Sequence, residues 1–194
     1  RGLGDVYKRQ IQTAFIGDVI LATSLVEYIN KQFPHNQIDF LLRQGNQTII
    51  ETNKHITNLY IWDKTHGKYK SLFKLIKQVR LEKYDVVLNI QRFFNAGLLT
   101  ALSGAKLKIG FKSNPLSMFF NKTVLHKIPH KLENESFYHE VQRNLQLFLA
   151  ADQNLTMPPI EDLAPKIFFD TKDKEVISSL KISHPYIVIA PSGV

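Results

Sequence analysis

The sequence predicts an α/β fold, a parallel β-sheet covered by helices. Short apolar segments of strand length, such as Ile38–Leu42 and Tyr84–Ile90, alternate with longer segments in which apolar residues recur every three or four positions. The first pattern is typical of buried strands and the second of one helix face. Because strands and helices alternate along the chain, we expect parallel strands joined by right-handed crossovers.

The first helix is predicted at residues 18–33, directly after the stretch Phe15–Ile20. Its apolar face consists of Val19, Ala22, Val26, Ile29 and Phe33. Gly17 and Asp18 stand between a strand and this helix, so we expect a tight turn in which the Asp18 carboxylate caps the helix. The glycine is isolated, without a G-x-G-x-x-G pattern, and a dinucleotide site is therefore not expected there.

Further elements follow in order along the chain. They are a strand at Ile38–Leu42, a short helix at about Gln47–Thr52, a strand at Leu59–Asp63, a basic amphipathic helix at residues 68–83, a strand at Tyr84–Ile90, a helix near Ala96–Leu102, strands at Lys106–Phe111 and Thr123–Ile128, and a helix with the face Phe137, Val141, Leu145 and Phe148. Residues 11–150 are thus predicted to form one domain. Three prolines predict a linker at residues 151–166. A helix at Lys172–Leu180 and a strand at Tyr186–Ala190 predict the start of a second domain at residues 167–194.

Residues 1–10 are predicted to lie outside the fold. Asp5–Gln10 resembles a translated sequencing-library adaptor, and residues 1–10 fit no helix or strand pattern that joins the following segment. We therefore expect the native domain to begin at Ile11, with the first part of its first strand missing.

Composition narrows the class of protein. With 44% hydrophobic residues, a chain of 194 residues can bury a core, and the lack of cysteine excludes disulfides and cysteine-ligated metals. No apolar run has the length of a membrane span or the form of a signal peptide, so a soluble, cytoplasmic protein is predicted. The net charge of +8 favours an anionic partner: a nucleic acid, a phosphorylated sugar or an anionic membrane surface.

Polar residues follow four of the predicted strands. They are Asp18, Arg43, Asp63 with Lys64, and Gln91 with Arg92. Ligands of parallel α/β sheets bind outside the carboxyl ends of the strands, so we expect these side chains to share one rim.

Asp18, the basic cluster that begins at Lys64, and Arg92 each have two possible roles. Asp18 is a helix cap or a general base for a substrate hydroxyl, and the roles are compatible because a capping carboxylate stays ionised. The basic residues from Lys64 to Lys77 form a solvated helix face or attract phosphates. Arg92 contacts a ligand or completes an ion pair.

The remaining polar candidates are interpreted as ordinary surface residues. His139 and Glu140 are placed on the polar side of their helix, with Arg143 one turn from His139. The histidines at 126, 130 and 139 lack the close spacing of metal ligands, so no metal site is expected.

Five segments in a fixed order carry a family resemblance. They are Gln12–Ile20, Ile38–Arg43, Tyr84–Gln91, Leu102–Ala105 with Ile109–Phe111, and His139–Arg143. Together they resemble the ADP-heptose:lipopolysaccharide heptosyltransferases of glycosyltransferase family 9, over most of Ile11–Val194.

The resemblance implies the N-terminal half of a GT-B enzyme, in which two Rossmann-like domains face each other across a cleft. In that family the N-terminal domain mainly holds the acceptor and the C-terminal domain mainly holds the nucleotide-sugar. Asp18 is then the expected base that deprotonates the acceptor hydroxyl. Attack inverts the anomeric carbon of heptose and expels ADP, with no metal and no other cofactor.

The resemblance and the rim together give the expected substrate contacts. These are Gly17, Arg43, Lys64, Lys68, Gln91, Arg92 and Ser192, of which Ser192 matches the start of the family's donor-side turn. The segment Gln91–Phe93 departs from the family, in which a small residue commonly follows the glutamine, and this leaves the acceptor contacts there open.

The predicted function is the transfer of heptose from ADP-heptose to the lipopolysaccharide inner core. We expect a cytoplasmic enzyme in peripheral contact with the inner membrane, and we expect this fragment to be inactive without its donor domain. One alternative is a related glycosyltransferase with another nucleotide-sugar or acceptor. Another is a non-catalytic nucleic-acid-binding α/β domain, although the aromatic residues mostly occupy apolar positions rather than alternating with basic ones, so no nucleic-acid partner is expected.

Overall fold

The computed structural model describes residues 8–12, 15–65, 67–126 and 139–179. Within these residues the strands are β1 (Lys8–Gln12), β2 (Gln37–Arg43), β3 (Asn58–Trp62), β4 (Val86–Asn89), β5 (Leu107–Phe111) and β6 (Lys122–Val124). The α-helices are α1 (Ile16–Gln32), α2 (Lys68–Leu81), α3 (Phe94–Leu102), α4 (Glu140–Leu149) and α5 (Thr171–Ser179). Short 3-10 turns lie at Gln47–Ile49, Ser117–Phe119 and Ile160–Leu163.

The six strands form one parallel sheet in the order β3-β2-β1-β4-β5-β6. The parallel α/β fold predicted from the sequence is therefore confirmed. The strand order reverses between β1 and β4. From β1 the chain adds β2 and β3 on one side of the sheet, and it then crosses over to add β4, β5 and β6 on the other side of β1. A crevice at the carboxyl ends of these two strands is where this topology usually binds ligands.

Helices cover both faces of the sheet. Along β2, Phe40 and Leu42 pack in a cluster with residues of α1 and α4, whereas Leu41 packs with residues of α2 and α3 on the opposite face. In β4, Leu88 and Val87 divide between the two clusters in the same way. A strand buried on both faces needs apolar residues at successive positions, which explains the continuous apolar segments of the sequence.

The basic amphipathic helix is confirmed as α2. Its buried side consists of Leu72, Leu75, Ile76 and Val79. Its lysines at 68, 70, 74 and 77 are exposed. In the part of the chain that the structure describes, no helix is both long enough and apolar enough to cross a membrane.

The expectation that residues 1–10 lie outside the fold is wrong for Lys8–Gln10. Their backbone belongs to β1, where Arg9 stands between Ile38 of β2 and Val86 of β4. Strand pairing uses backbone N–H and C=O groups, which are nearly independent of the side chain, so a polar side-chain pattern does not prevent it. The non-native origin of residues 1–10 stays a prediction.

Two other elements differ in length from their prediction. The helix expected at Gln47–Thr52 is a 3-10 turn at Gln47–Ile49. The strand expected at Thr123–Ile128 is observed as Lys122–Val124, at the edge of the sheet beside β5. Residue 137 and residues 186–190 of the predicted helix face and strand lie outside the described residues.

The segment predicted as a linker, residues 151–166, packs against α1. Leu163 in the turn Ile160–Leu163 is 1% exposed, and the Lys166 backbone N–H donates to Thr23 Oγ1 at 2.9 Å. The Tyr28 hydroxyl donates to the Thr156 carbonyl oxygen at 3.4 Å. Prolines exclude regular structure from such a segment but do not prevent it from packing. Its role as a connection between two domains stays a prediction.

A buried carboxylate ties together the amino-terminal ends of three strands. Asp39 of β2 is 0% exposed and accepts hydrogen bonds from the Tyr84 hydroxyl, from Asn58 Nδ2 at 3.0 Å and from Gln37 Nε2 at 3.2 Å. Burial raises the pKa of Tyr84, so its hydroxyl remains protonated and able to donate. Because a buried carboxylate is costly without donors, this network stabilises the end of the sheet opposite the rim.

We predict that Tyr84→Phe lowers the free energy of unfolding by about 1.5–3 kcal/mol, because it removes a donor to a buried carboxylate while keeping the ring. Urea unfolding followed by circular dichroism measures this. The matched control is Tyr69→Phe, where the side chain is 61% exposed and little change is expected. Equal unfolding midpoints for Tyr84→Phe and the wild type would contradict the role of the network.

Candidate functional site

The start of α1 and the loop after β4 meet where the strand order reverses. Asp18 follows β1 and Gln91 follows β4, and Gln91 Nε2 donates a hydrogen bond to Asp18 Oδ2 at 2.9 Å. Arg43, Lys64 and Arg92 line cavities at the same edge. These five residues therefore lie together, as the rim predicted from the sequence requires. Asp63, the sixth residue of that rim, lines neither cavity, and its Oδ1 accepts from the Thr65 backbone N–H at 2.7 Å.

The prediction that Asp18 caps α1 is wrong. The helix begins at Ile16, and its N-cap residue is Phe15, whose side chain has no hydrogen-bond acceptor. Asp18 is instead the third residue of the helix, within its first turn. The error arose because sequence rules mark helix starts by polar caps, and the residues at this start are apolar and exposed.

The tight turn expected at Gly17 is also absent, since Gly17 is already helical. Gly17 is exposed, and a Cβ atom added there meets no atom within 4 Å. The glycine is therefore not required by backbone geometry or by packing. It leaves open space on the first turn of α1, beside Asp18.

Asparagine side chains hold the loop that carries Gln91. Asn89 Oδ1 accepts from the Gln91 backbone N–H at 2.9 Å, and Asn114 Nδ2 donates to the carbonyl oxygens of Gln91 and Phe93, both at 3.1 Å. A Cβ atom on Gly97 of α3 would lie 2.2 Å from Asn114 Oδ1, so glycine is needed there for the asparagine to fit. The loop is thus fixed before any ligand binds.

The first cavity at this edge is named the Lys64 cavity. Its lining residues are Phe15, Leu41, Arg43, Trp62, Lys64, Leu72, Gln91, Phe93, Asn95, Ala96 and Leu99. Lys64 Nζ lies 4.4 Å from the centroid of the Trp62 ring. Burial lowers the pKa of Lys64, and the nearby positive charges of Arg43 and Lys68 lower it further. Three cations are therefore concentrated where an anion would relieve their mutual repulsion.

The second cavity is named the Asp18 cavity. It is lined by Phe15, Asp18, Ile90, Gln91, Arg92, Phe93, His126, Glu140 and Asn144. Arg143 donates to Glu140 Oε2 through its Nε at 2.9 Å and through a terminal nitrogen, and His126 Nε2 lies 3.6 Å from Glu140 Oε1. Burial raises the pKa of Glu140, but the hydrogen bonds and positive charge of Arg143 outweigh it and leave that pKa below its ordinary value. Glu140 therefore adds a second carboxylate to the cavity of Asp18.

Two buried polar atoms accompany these carboxylates. Asn144 is 2% exposed, and its Oδ1 has no hydrogen-bond partner among the described residues. The same holds for His126 Nδ1. Buried polar atoms are nearly always hydrogen-bonded in native structures, so the lack of a partner among the described residues is unusual at these two positions.

Sequence reasoning missed Glu140, His126 and Asn144. Glu140 was placed with the surface residues, but it lines the Asp18 cavity, and Arg143 pairs with Glu140 rather than with His139. His139 is the N-cap of α4, with its Nδ1 accepting from the Val141 N–H at 3.5 Å. One signal was available, because Asn144 is a polar residue within the buried stripe of α4. Ser192 lies outside the described residues.

We predict that His126 makes stability depend on pH in mildly acidic solution. Burial lowers the pKa of His126, although the Glu140 carboxylate opposes this. In the unfolded chain the pKa is about 6.5, so the unfolded form takes up a proton first and stability falls as the pH drops below that value. The loss in free energy of unfolding from about pH 7.5 to about pH 5.5 should be smaller in His126→Gln than in the wild type, by up to about 1 kcal/mol.

Urea unfolding at the two pH values measures this difference. The control is His35→Gln in an exposed turn, which should follow the wild type. An equal loss in His126→Gln and the wild type would show that the histidine is not responsible.

Comparison with known proteins places this chain in a family. The sequence model described as glycosyltransferase family 9 (heptosyltransferase) matches residues 72–193. Lipopolysaccharide heptosyltransferase 3 of Escherichia coli (strain K12) is 28% identical over 191 residues, which cover 91% of this chain and 51% of the relative.

Solved structures share the fold. The glycosyl transferase family 9 protein of Veillonella parvula DSM 2008 superposes with a TM-score of 0.72 at 19% identity, covering 91% of this chain and 51% of that chain. The Escherichia coli heptosyltransferase WaaC, solved with ADP-2-deoxy-2-fluoro heptose, gives a TM-score of 0.63 at 17% identity over 78% of this chain and 50% of that chain. The chain thus spans about half the length of these relatives. Since the family match covers more than half of its residues, the chain belongs to glycosyltransferase family 9, the heptosyltransferases.

Proposed function

We propose that this chain is the acceptor-side half of an enzyme that transfers heptose from ADP-heptose to the lipopolysaccharide inner core. Family membership and the relative named lipopolysaccharide heptosyltransferase 3 support this reaction class. The solved relative carrying an ADP-heptose analogue supports the donor. The observation that carries the proposal is the Asp18–Gln91 hydrogen bond at the reversal of strand order, beside two cavities.

In the proposed reaction Asp18 is the general base. Its carboxylate accepts the proton of an acceptor hydroxyl while the hydroxyl oxygen attacks the anomeric carbon of heptose. The bond between that carbon and the diphosphate oxygen breaks on the opposite side, so the anomeric configuration inverts and ADP leaves with the bonding electrons. Gln91 orients one carboxylate oxygen and leaves the other to face the acceptor.

The remaining predicted contacts have complementary roles in this proposal. The open space at Gly17 admits the acceptor to the first turn of α1. Arg43, Lys64 and Lys68 attract anionic groups of the inner core, and Arg92 contributes a cation at the mouth of the Asp18 cavity.

Donor binding is proposed to belong mainly to a second domain. Ser192 keeps its predicted donor contact from the family resemblance. The chain alone is therefore expected to be inactive, and measurements of turnover require the whole enzyme.

We predict that Asp18→Asn lowers kcat by roughly 10²–10⁴-fold, because the amide cannot accept the proton although it has the same shape. ADP release with ADP-heptose and inner-core acceptors measures kcat, and calorimetry should show unchanged donor binding. The control is Asp85→Asn, which removes a carboxylate that pairs with Lys106 at 2.6 Å before β4, at the opposite end of the sheet. Turnover close to wild type in Asp18→Asn would exclude Asp18 as the base.

Peripheral contact with the inner membrane is part of the proposal and rests on the outer face of α2. Tyr69 and Phe73 are 61% and 56% exposed there, beside Lys70 and Lys74. Lysines attract anionic lipid headgroups, and exposed aromatic rings suit the boundary between headgroups and acyl chains. The same face would lie next to a membrane-anchored acceptor. A cytoplasmic location follows from this proposal.

We predict that Lys68→Glu combined with Lys70→Glu weakens binding to vesicles containing anionic phospholipid by more than roughly fivefold per reversed charge, and raises the acceptor KM. Vesicle sedimentation and steady-state kinetics measure the two effects. The matched control is Lys172→Glu with Lys174→Glu, an exposed pair at the same spacing on α5. Unchanged vesicle binding and KM in the α2 variant would remove this part of the proposal.

A further inference from the structure

Gln91 is held from three directions at the rim. Its backbone N–H donates to Asn89 Oδ1 at 2.9 Å, and its carbonyl oxygen accepts from Asn114 Nδ2 at 3.1 Å. Its side-chain Nε2 donates to Asp18 Oδ2 at 2.9 Å. The backbone of Gln91 is therefore fixed on both sides, and its position determines where the side chain meets the Asp18 carboxylate.

Asn114 lies outside both cavities of the site. It is 2% exposed and lines neither the Lys64 cavity nor the Asp18 cavity. Its Nδ2 also donates to the Phe93 carbonyl oxygen at 3.1 Å, and its Oδ1 accepts from the Leu116 backbone N–H at 2.9 Å. One amide group thus bonds to two carbonyl oxygens and one N–H group, which an apolar side chain of similar size cannot do.

Asn114 is itself anchored to the sheet. Its backbone N–H donates at 3.0 Å to the carbonyl oxygen of Phe111, the last residue of β5. Because β1, β4 and β5 are neighbours in the sheet, hydrogen bonds continue from the end of β5 through Asn114 and Gln91 to Asp18 near the start of α1. A side chain supported by rigid elements in this way is held more closely than one on an unsupported loop.

The packing of α3 against Asn114 requires a glycine. A Cβ atom added to Gly97 would lie 2.2 Å from Asn114 Oδ1, and the three described atoms nearest to it all belong to the Asn114 side chain. Glycine within a helix is less stable than alanine, so its presence in α3 is explained by the room that the asparagine needs. Steric contacts as well as hydrogen bonds therefore fix the conformation of the asparagine.

We propose that Asn114 is a positioning residue that sets the direction of the Asp18 carboxylate through Gln91. The inference rests on the proposed function, in which Asp18 is the base, and it adds a residue outside the cavities to the reaction. With Asn114 in place, Gln91 Nε2 holds one carboxylate oxygen and leaves the other directed at the acceptor hydroxyl. Without it the loop after β4 shifts, and a displaced base accepts the proton more slowly because proton transfer requires hydrogen-bond distance.

Steady-state kinetics of the whole enzyme measure the consequence. Asn114→Ala should lower kcat by roughly 10–100-fold, because small displacements of a reacting group are costly. The KM for ADP-heptose should not change, since Asn114 lines neither cavity. The matched control is Asn53→Ala, which should keep the wild-type kcat. Asn53 is 4% exposed, and its Oδ1 accepts from the His55 backbone N–H at 2.9 Å in the connection between β2 and β3.

Gly97→Ala tests the same contact with the asparagine present, and it keeps the inference testable if Asn114→Ala does not fold. The new methyl group displaces the Asn114 side chain, so kcat should fall by a similar factor although alanine favours the helix. In the Asn114→Ala background the clash is absent, and Gly97→Ala should then have no further effect on kcat. Independent effects of the two substitutions on stability would instead add.

Nitrogen-15 NMR of the 194-residue chain observes the hydrogen bond between Gln91 and Asp18 without turnover. The Gln91 side-chain amide signal is assigned by its loss in Gln91→Leu, and Asp18→Ala gives its position when the bond is broken. In Asn114→Ala the signal should move toward the Asp18→Ala position. In Asn53→Ala it should stay at the wild-type position.

Two results would overturn the inference on their own: an unmoved Gln91 signal in Asn114→Ala, or wild-type kcat in a folded Asn114→Ala enzyme. Additive effects of Gly97→Ala and Asn114→Ala on kcat would also overturn it. If the wild-type enzyme transfers no heptose to inner-core acceptors, the proposed function fails separately, and the Gln91 signal still decides whether Asn114 positions Asp18.

Discussion

The pairing of β1 with β2 on one side and with β4 on the other is the constraint on which the rest of the structure depends. The backbone of β1 forms hydrogen bonds with β2 on one side and with β4 on the other. Ile11 of β1, for example, lies between Phe40 of β2 and Leu88 of β4. The same pairing places the start of α1 beside the loop after β4. Asp18 and Gln91, 73 positions apart in the chain, consequently form a hydrogen bond, and the crevice of the site lies above them.

Hydrogen bonds from a buried asparagine fix the loop after β4 at this crevice. Asn114 reaches the carbonyl oxygens of Gln91 and Phe93, and Gly97 leaves it the room to do so. Among the described residues, Arg43 and Lys64 are the charged residues that line one cavity, whereas Asp18, Arg92, His126 and Glu140 line the other. The two cavities therefore differ in their charged groups, because strand ends supply most of these residues and α4 supplies Glu140.

Periodicity in the sequence predicted the parallel sheet and most helices, because burial on both faces of a sheet imposes a pattern that survives without knowledge of tertiary contacts. The rim residues were predictable as well, because they directly follow strands that the apolar pattern identifies. The start of α1 was not, because Phe15 and Ile16 carry no capping signal. The first residues of β1 were missed because backbone pairing, not side-chain pattern, places them in the sheet.

The Asp18 cavity was only half predictable. Glu140 and His126 approach each other across 14 positions of sequence, and their contact depends on how α4 packs against the sheet, which no local pattern encodes. Asn144 was the detectable exception, since a polar side chain within an apolar helix stripe indicates an internal partner or a ligand.

The central claim is that Asp18 accepts the proton of an acceptor hydroxyl at the crevice between β1 and β4. The most direct measurement is a crystal structure of the whole enzyme with an inner-core acceptor bound. The account predicts an acceptor hydroxyl oxygen about 2.6–3.2 Å from an Asp18 carboxylate oxygen, with the other oxygen still held by Gln91. An acceptor bound elsewhere, with its reactive hydroxyl beyond hydrogen-bond reach of Asp18, would contradict it.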